Sequence, residues 1–205
     1  MSKIFLLMSL KEEKEKLAIV NAFMAYTLEN DHFPKSVYKF CKKNEMEEKT
    51  FYKFFGSLDR VKESIWESFY KNSMSLLKKD ENFEMAKPKD KLLSFYFTFF
   101  EVLLLNRSYV LFALAVDEKM MVKMGQLSSI RKMFKGFASE LIEDGNVDKP
   151  SYLQHPPKIF SEAAWVQFAF LLKFWMEDSS ADFEKTDQAI EKSVQTAFDV
   201  FDNTP

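Results

Sequence analysis

Residues Lys49 to Ser68, K-T-F-Y-K-F-F-G-S-L-D-R-V-K-E-S-I-W-E-S, place a short apolar helix, a glycine stop and the start of a long helix side by side. Phe51, Phe54 and Phe55 recur at i, i+3 and i+4, which is one face of a helix turned toward a core. The helical stretch from Glu47 to Lys53 cannot stand alone, because isolated helices shorter than ~12–15 residues are marginal in water. It must lean on other segments. Gly56 ends it, and Ser57 is a helix N-cap with Arg60, not an acid, three residues on. From Leu58 the spacing of Val61, Ile65 and Phe69, with Trp66 beside them, predicts one long helix. A small head therefore joins a larger body at this point.

The rest of the chain supplies little that could punctuate a sheet. Four Gly and six Pro in 205 residues leave scant material for β-hairpins or phosphate-cradling loops, so the fold class is all-α. Twenty-three Phe predict a core heavy in rings. The two histidines, His32 and His155, stand in turns without a Cys, Asp or Glu at ligand spacing, so no catalytic residue, metal site or cofactor is expected. Cys41 is the single cysteine; it sits at a core-facing spacing, excludes an internal disulfide and suits a reducing cytosol. A net charge of −2 argues against holding polyanions by bulk charge but allows a local basic patch. The apolar run Ile4 to Met8 is too short for a membrane span of ~20 residues and is read as an N-terminal arm packing on the body or a partner. With no longer charge-free stretch, a cytoplasmic protein without a membrane span is expected.

Taken in order, Lys11 to Glu29 reads as a helix with Ile19, Ala22, Phe23 and Tyr26 on one face. Pro34 opens a second helix running to about Lys43, and Asn44-Glu45-Met46-Glu47 turns into the short helix already described. Three short helices joined in this way form a helix-turn-helix head over residues 1–56. The body, residues 57–205, begins with the long helix to about Lys79. It continues from Pro88 with a segment apolar nearly all round from Leu92 to Leu105, expected to be buried on most sides. A short helix from Tyr109 to Val116 follows the break at Asn106-Arg107-Ser108. A long one from Asp117 to Glu143 is interrupted by Gly125 and Gly136. After a loop from Glu143 to Pro157 come two amphipathic helices, Lys158–Met176 and Phe183–Phe201, giving about nine helices in all.

Thr50, Phe51, Tyr52 and Phe55 follow the T-F/L-Y-x-x-F pattern of the DNA-reading helix in TetR-type repressors, and G-S-L-D-R-V resembles the turn that follows it there. Ser36-Val37 matches the T-V that precedes the family's second helix. The resemblance implies a ligand-responsive transcriptional regulator that binds double-stranded DNA as a homodimer. It implies that Thr50, Tyr52 and Lys53 touch phosphates and that Lys49 lies near a base edge. From Phe33 to Gly56, six lysines face three glutamates, a local excess of positive charge suited to phosphate contact. The chain departs from the pattern in its turn: A-G-V-S becomes N-E-M-E, so Glu45 replaces the glycine and Glu47 the N-cap serine. Leu58 stands where a phosphate-binding lysine is usual. Glu47 and Glu48 suit the helix dipole but repel phosphate, unless Glu47 accepts from a cytosine amino group. These departures point to a second reading, a lipid-binding protein of the same fold that no longer binds DNA, similar to the ubiquinone-biosynthesis accessory proteins.

In the body the resemblance implies a pocket for an apolar small molecule or lipid, lined by Phe97, Phe100, Leu104 and Phe137. The last two helices carry apolar stripes: Trp165, Phe168, Leu172 and Trp175 on one, Ile190, Val194, Phe198 and Phe201 on the other. Val166, Phe170 and Phe174 lie off the first stripe, which is more apolar surface than a monomer usually exposes. The family pairs these helices with their copies about a two-fold axis. Trp165, Phe168, Leu172, Ile190, Val194, Phe198 and Phe201 are accordingly expected at a homodimer interface.

Overall fold

A computed structural model describes residues 3–115, 125–147, 149–151 and 154–203. Among the described residues all regular structure is helical, in ten α-helices and one short 3₁₀ turn. They are α1 Lys3–Asn30, α2 Val37–Lys43, α3 Glu48–Phe54, α4 Leu58–Leu77 and α5 Glu81–Met85. There follow α6 Pro88–Leu104, α7 Arg107–Ala115, α8 Ser128–Asn146, α9 Pro157–Glu177 and α10 Glu184–Asn203. No single described helix is long and apolar enough to cross a membrane.

Several boundaries differ from the expected ones, each for a local reason. Helix α1 begins at Lys3, not Lys11, so the segment read as an arm is helical backbone; its side chains at 3–10 lie outside the described residues. Helix α2 begins at Val37 and not at Pro34. Ser36 is extended (φ −147°, ψ 128°) and its hydroxyl accepts from the Lys39 amide, the geometry of a side-chain N-cap. The long helix ends at Leu77, and the K-K-D-E-N that follows (78–82) leads into α5, because Asp80 caps it by accepting from the Asn82 amide at 2.9 Å. Helix α8 passes uninterrupted through Gly136 and runs to Asn146. The start of the expected Asp117–Glu143 helix lies outside the described residues.

The chain forms two compact units. The first takes in Met1–Glu67 and Asn106–Leu127, so α7 belongs with α1–α3 and the first half of α4. Its core is a ring cluster: Phe23 stacks on Phe33 (5.9 Å) and meets Phe40 edge-on (6.1 Å), Phe40 meets Phe51 (6.1 Å), and Phe51 meets Phe55 (5.9 Å). Ile19 and Val61 are fully buried with them. Helix α7 packs along α1, and Phe112 meets Phe33 edge-on at 5.5 Å.

The second unit is Ser68–Leu105 with Ser128–Pro205. Helix α9 packs on α8, and α6 packs on α8 and α10. Phe95, Phe134 and Phe168 anchor its core, with ring separations of 5.3 Å between Phe95 and Phe134 and 5.0 Å between Phe134 and Phe168. The α6 segment Leu92–Leu105 is not buried all round: Leu93, Phe97 and Leu104 are half-exposed and Leu105 is 84% exposed. Burial follows Leu92, Phe95, Tyr96, Phe99, Phe100, Val102 and Leu103, the side turned to α8–α10.

Candidate nucleic-acid interface

Helix α3 has seven residues and owes its position to two rings. Phe51 (fully buried) and Phe55 (4% exposed) fasten it to the head's core, while Phe54 is half-buried and sits beneath the Lys53 ammonium at 4.9 Å. Phe54 is thus a surface partner and not the third core anchor expected from the i, i+3, i+4 spacing. With the rings behind, the opposite face presents Glu47, Glu48, Lys49, Tyr52 and Lys53 to solvent, and Thr50 half-exposed. The structure therefore brings Glu47, Lys49, Thr50, Tyr52 and Lys53 onto one short segment with solvent before them. Tyr38 of α2 is a second exposed tyrosine of the head, 58% exposed with Lys42 6.0 Å over its ring, and sequence reasoning passed it over.

The turn between α2 and α3 closes α2 with the backbone pattern of a Schellman cap. The Met46 amide donates to the Cys41 carbonyl at 2.9 Å, and the Glu45 amide to the Lys42 carbonyl at 3.4 Å. That cap puts Glu45 at φ 51°, the left-handed region where glycine is favoured. Glu47 caps α3 with extended backbone and no side-chain hydrogen bond, so its carboxylate stays free to face outward. Ser57, as expected, caps the next helix by accepting from the Arg60 amide at 3.3 Å.

The cations of the head are not equally available. Lys53 donates to Glu12 at 3.0 Å and lies 3.5 Å from Glu15, both on α1, and the hydrogen bond to Glu12 raises its pKa. Lys43 is paired with Glu29 at 3.6 Å and stands over the Tyr26 ring at 4.7 Å. Lys49 has no ion pair among the described residues. Burial, then the charge of Glu48, pushes the Cys41 thiol up, which keeps it protonated and unreactive.

In the second unit the expected pocket residues are placed differently from one another. Phe100 is 4% exposed and packs on Tyr96, Phe99 and Trp175; Phe137 is 7% exposed against Phe95. Phe97 and Leu104 are half-exposed on α6. An open apolar groove lies elsewhere, between α9 and α10. It has a volume of 560 Å³ and is lined chiefly by Ala163, Ala164, Phe170, Ala189, Ala197 and Val200. Gln167 donates to Ser193 across it at 3.0 Å.

The expected interface stripe is turned inward. Trp165, Phe168, Leu172, Ile190 and Val194 are all 5% exposed or less, packed within their own chain as core residues. Phe198 is half-exposed against Phe160, and the Phe201 side chain lies outside the described residues. The apolar surface left open on α9 is the other stripe, Ile159 (63% exposed), Val166 (67%) and Phe170 (57%), with Val200 (56%) on α10. Its signal was the surplus of apolar residues off the main stripe.

Residues 91–205 match the model of the tetracyclin repressor-like C-terminal domain family. A crystal structure from Syntrophomonas wolfei, assigned to the TetR family of transcriptional regulators, superimposes with a TM-score of 0.69 at 16% identity. It covers 91% of this chain and 96% of its own, a likeness of fold. No curated protein matches the chain.

Proposed function

The chain belongs to the TetR-like family, and from that premise we propose that it is a ligand-responsive transcriptional regulator that binds double-stranded DNA as a homodimer. The observation that carries the reading is α3: Phe51 and Phe55 hold it from behind while Lys49, Thr50, Tyr52 and Lys53 face outward. A helix anchored on one face and polar on the other can lie in a major groove with its flanks on phosphates. In this reading residues 1–56 read DNA and residues 57–205 bind ligand and dimerise, in the cytoplasm and without catalysis.

The dimer face is the open stripe Ile159, Val166 and Phe170 with the groove beside it, since an apolar surface of this kind asks for cover. The ligand is apolar and contacts α6 and α8 around Phe97, Phe100, Leu104 and Phe137. Because Phe100 and Phe137 are packed, binding would have to reorder their rings, which is a route by which ligand could alter the dimer's fit to successive grooves.

Fluorescence anisotropy with random duplex and with the DNA upstream of the gene, at low salt, tests the reading. Binding with a preference for the upstream sequence supports it. No binding to any duplex sinks it and favours the second reading, a lipid carrier of this fold, which the exposed Glu45, Glu47 and Glu48 at the start of α3 support by repelling phosphate. Native mass spectrometry would then find a co-purified lipid.

A further inference from the structure

Of the two lysines on α3, Lys49 is unpaired among the described residues, whereas Lys53 is held between two carboxylates of α1. Glu12 Oε1 lies 3.0 Å from its Nζ and Glu15 Oε2 3.5 Å from it. Glu12, Glu15 and Ile19 fall at i, i+3 and i+7, one face of a helix. Ile19 is fully buried. Its burial fixes that face toward the head's core, and the helix then carries both acids to the edge of α3. The Lys53 ammonium lies 4.9 Å over the Phe54 ring and, although its side chain is 46% exposed, is tied to the two acids of α1.

We propose that Glu12 and Glu15 form an acidic clamp that withholds the Lys53 ammonium from DNA phosphate, so that α1 limits how tightly the head binds any duplex. The proposal rests on the reading of the head as a DNA binder. Its chemistry is competition between anions. A carboxylate pair offers a lysine the same oxygen contacts that a phosphate would, and a phosphate must displace them. A free lysine meeting DNA releases condensed cations and adds about 0.9 to the slope of log affinity against log salt. A clamped lysine must first break two exposed ion pairs, which salt screens and so makes easier to break, and this offsets part of the salt dependence that a free lysine would show. The clamp therefore lowers both affinity and salt sensitivity, and it does so whatever the base sequence.

The full chain, bound to a labelled random duplex across a range of salt, gives the test. Glu12→Gln/Glu15→Gln is expected to bind several-fold tighter at low salt and to steepen the salt slope by up to about 0.9. Adding Lys53→Gln to that variant is expected to remove the steepening. Glu13→Gln, which neutralises an exposed acid of the same helix outside the clamp, is compared with Glu12→Gln and should change affinity less than twofold. Circular dichroism melts verify that each variant is folded. Equal gains from Glu13→Gln and Glu12→Gln, or a slope unchanged in the double variant, would mean diffuse charge and overturn the clamp while the DNA reading stands. Binding by none of the variants at the lowest salt overturns both.

Discussion

Glu45 adopts φ 51° because the cap that ends α2 demands a left-handed residue there. For a residue with a Cβ that conformation costs about 1 kcal/mol or more. Glu45→Gly is therefore expected to stabilise the protein by about 1 kcal/mol, less what glycine's greater freedom in the unfolded chain gives back, and a small rise in melting temperature checks it. Asp178 is the opposite case, a buried carboxylate that is fully used. Burial pushes its pKa up. Four hydrogen bonds, from the amides and hydroxyls of Ser180 and Thr186 at 2.6–2.9 Å, outweigh burial and hold it well below the usual carboxylate range. A depressed pKa stabilises the fold above the unfolded value of about 4 and loses that contribution as pH falls below it. Asp178→Asn is expected to cost about 2 kcal/mol at neutral pH. Melts between pH 5 and pH 2 should show the gap to wild type closing, and a gap that stays constant would contradict the account.

At the scale of elements, Gly136 lies on the exposed side of α8 with no atom within 4 Å of where a Cβ would stand. Gly136→Ala should therefore stabilise α8 by about 0.5–1 kcal/mol, read as a higher urea midpoint with an unchanged slope. The same residue shows why sequence periodicity is an uneven guide. Ile130, Phe134, Phe137, Ala138 and Leu141 keep one face apolar through Gly136, and that face held the helix together where the glycine alone suggested a break. The short α5 has too few residues for any period to register, and only its cap Asp80 marked it. Helix α1 runs unbroken through Lys11–Lys16, six Lys and Glu residues without an apolar stripe, so propensity and not pattern carries it there. In the candidate site, Phe51 and Phe55 were legible as anchors from spacing. The Lys53 contacts with α1 were not, since the partner nearer to it in sequence, Glu15, is 38 residues away in the chain.

For the whole molecule the instructive case is the apolar stripe of α9. A period of Trp165, Phe168, Leu172 and Trp175 says that a face is covered, but not by what, and here α8 and α10 of the same chain cover it. What remains exposed is Val166 and Phe170, the stripe proposed above as the dimer face. The two faces can be separated by substitution. Phe170→Glu replaces a residue 57% exposed in the single chain, so the isolated chain should fold as before. In a dimer the same change places a charge in a desolvated interface, at a cost of several kcal/mol unless it finds a partner. Phe168→Ala, by contrast, opens a cavity among Phe99, Phe134 and Trp165 and should cost about 3–5 kcal/mol of stability. Light scattering at micromolar concentration should then find wild type at twice its 24.2 kDa chain mass and Phe170→Glu at once that mass, with helical content unchanged. A wild type that is already monomeric would remove the interface. A dimer indifferent to Phe170→Glu would move it off α9, since a glutamate cannot be buried on that stripe without weakening the contact that covers it.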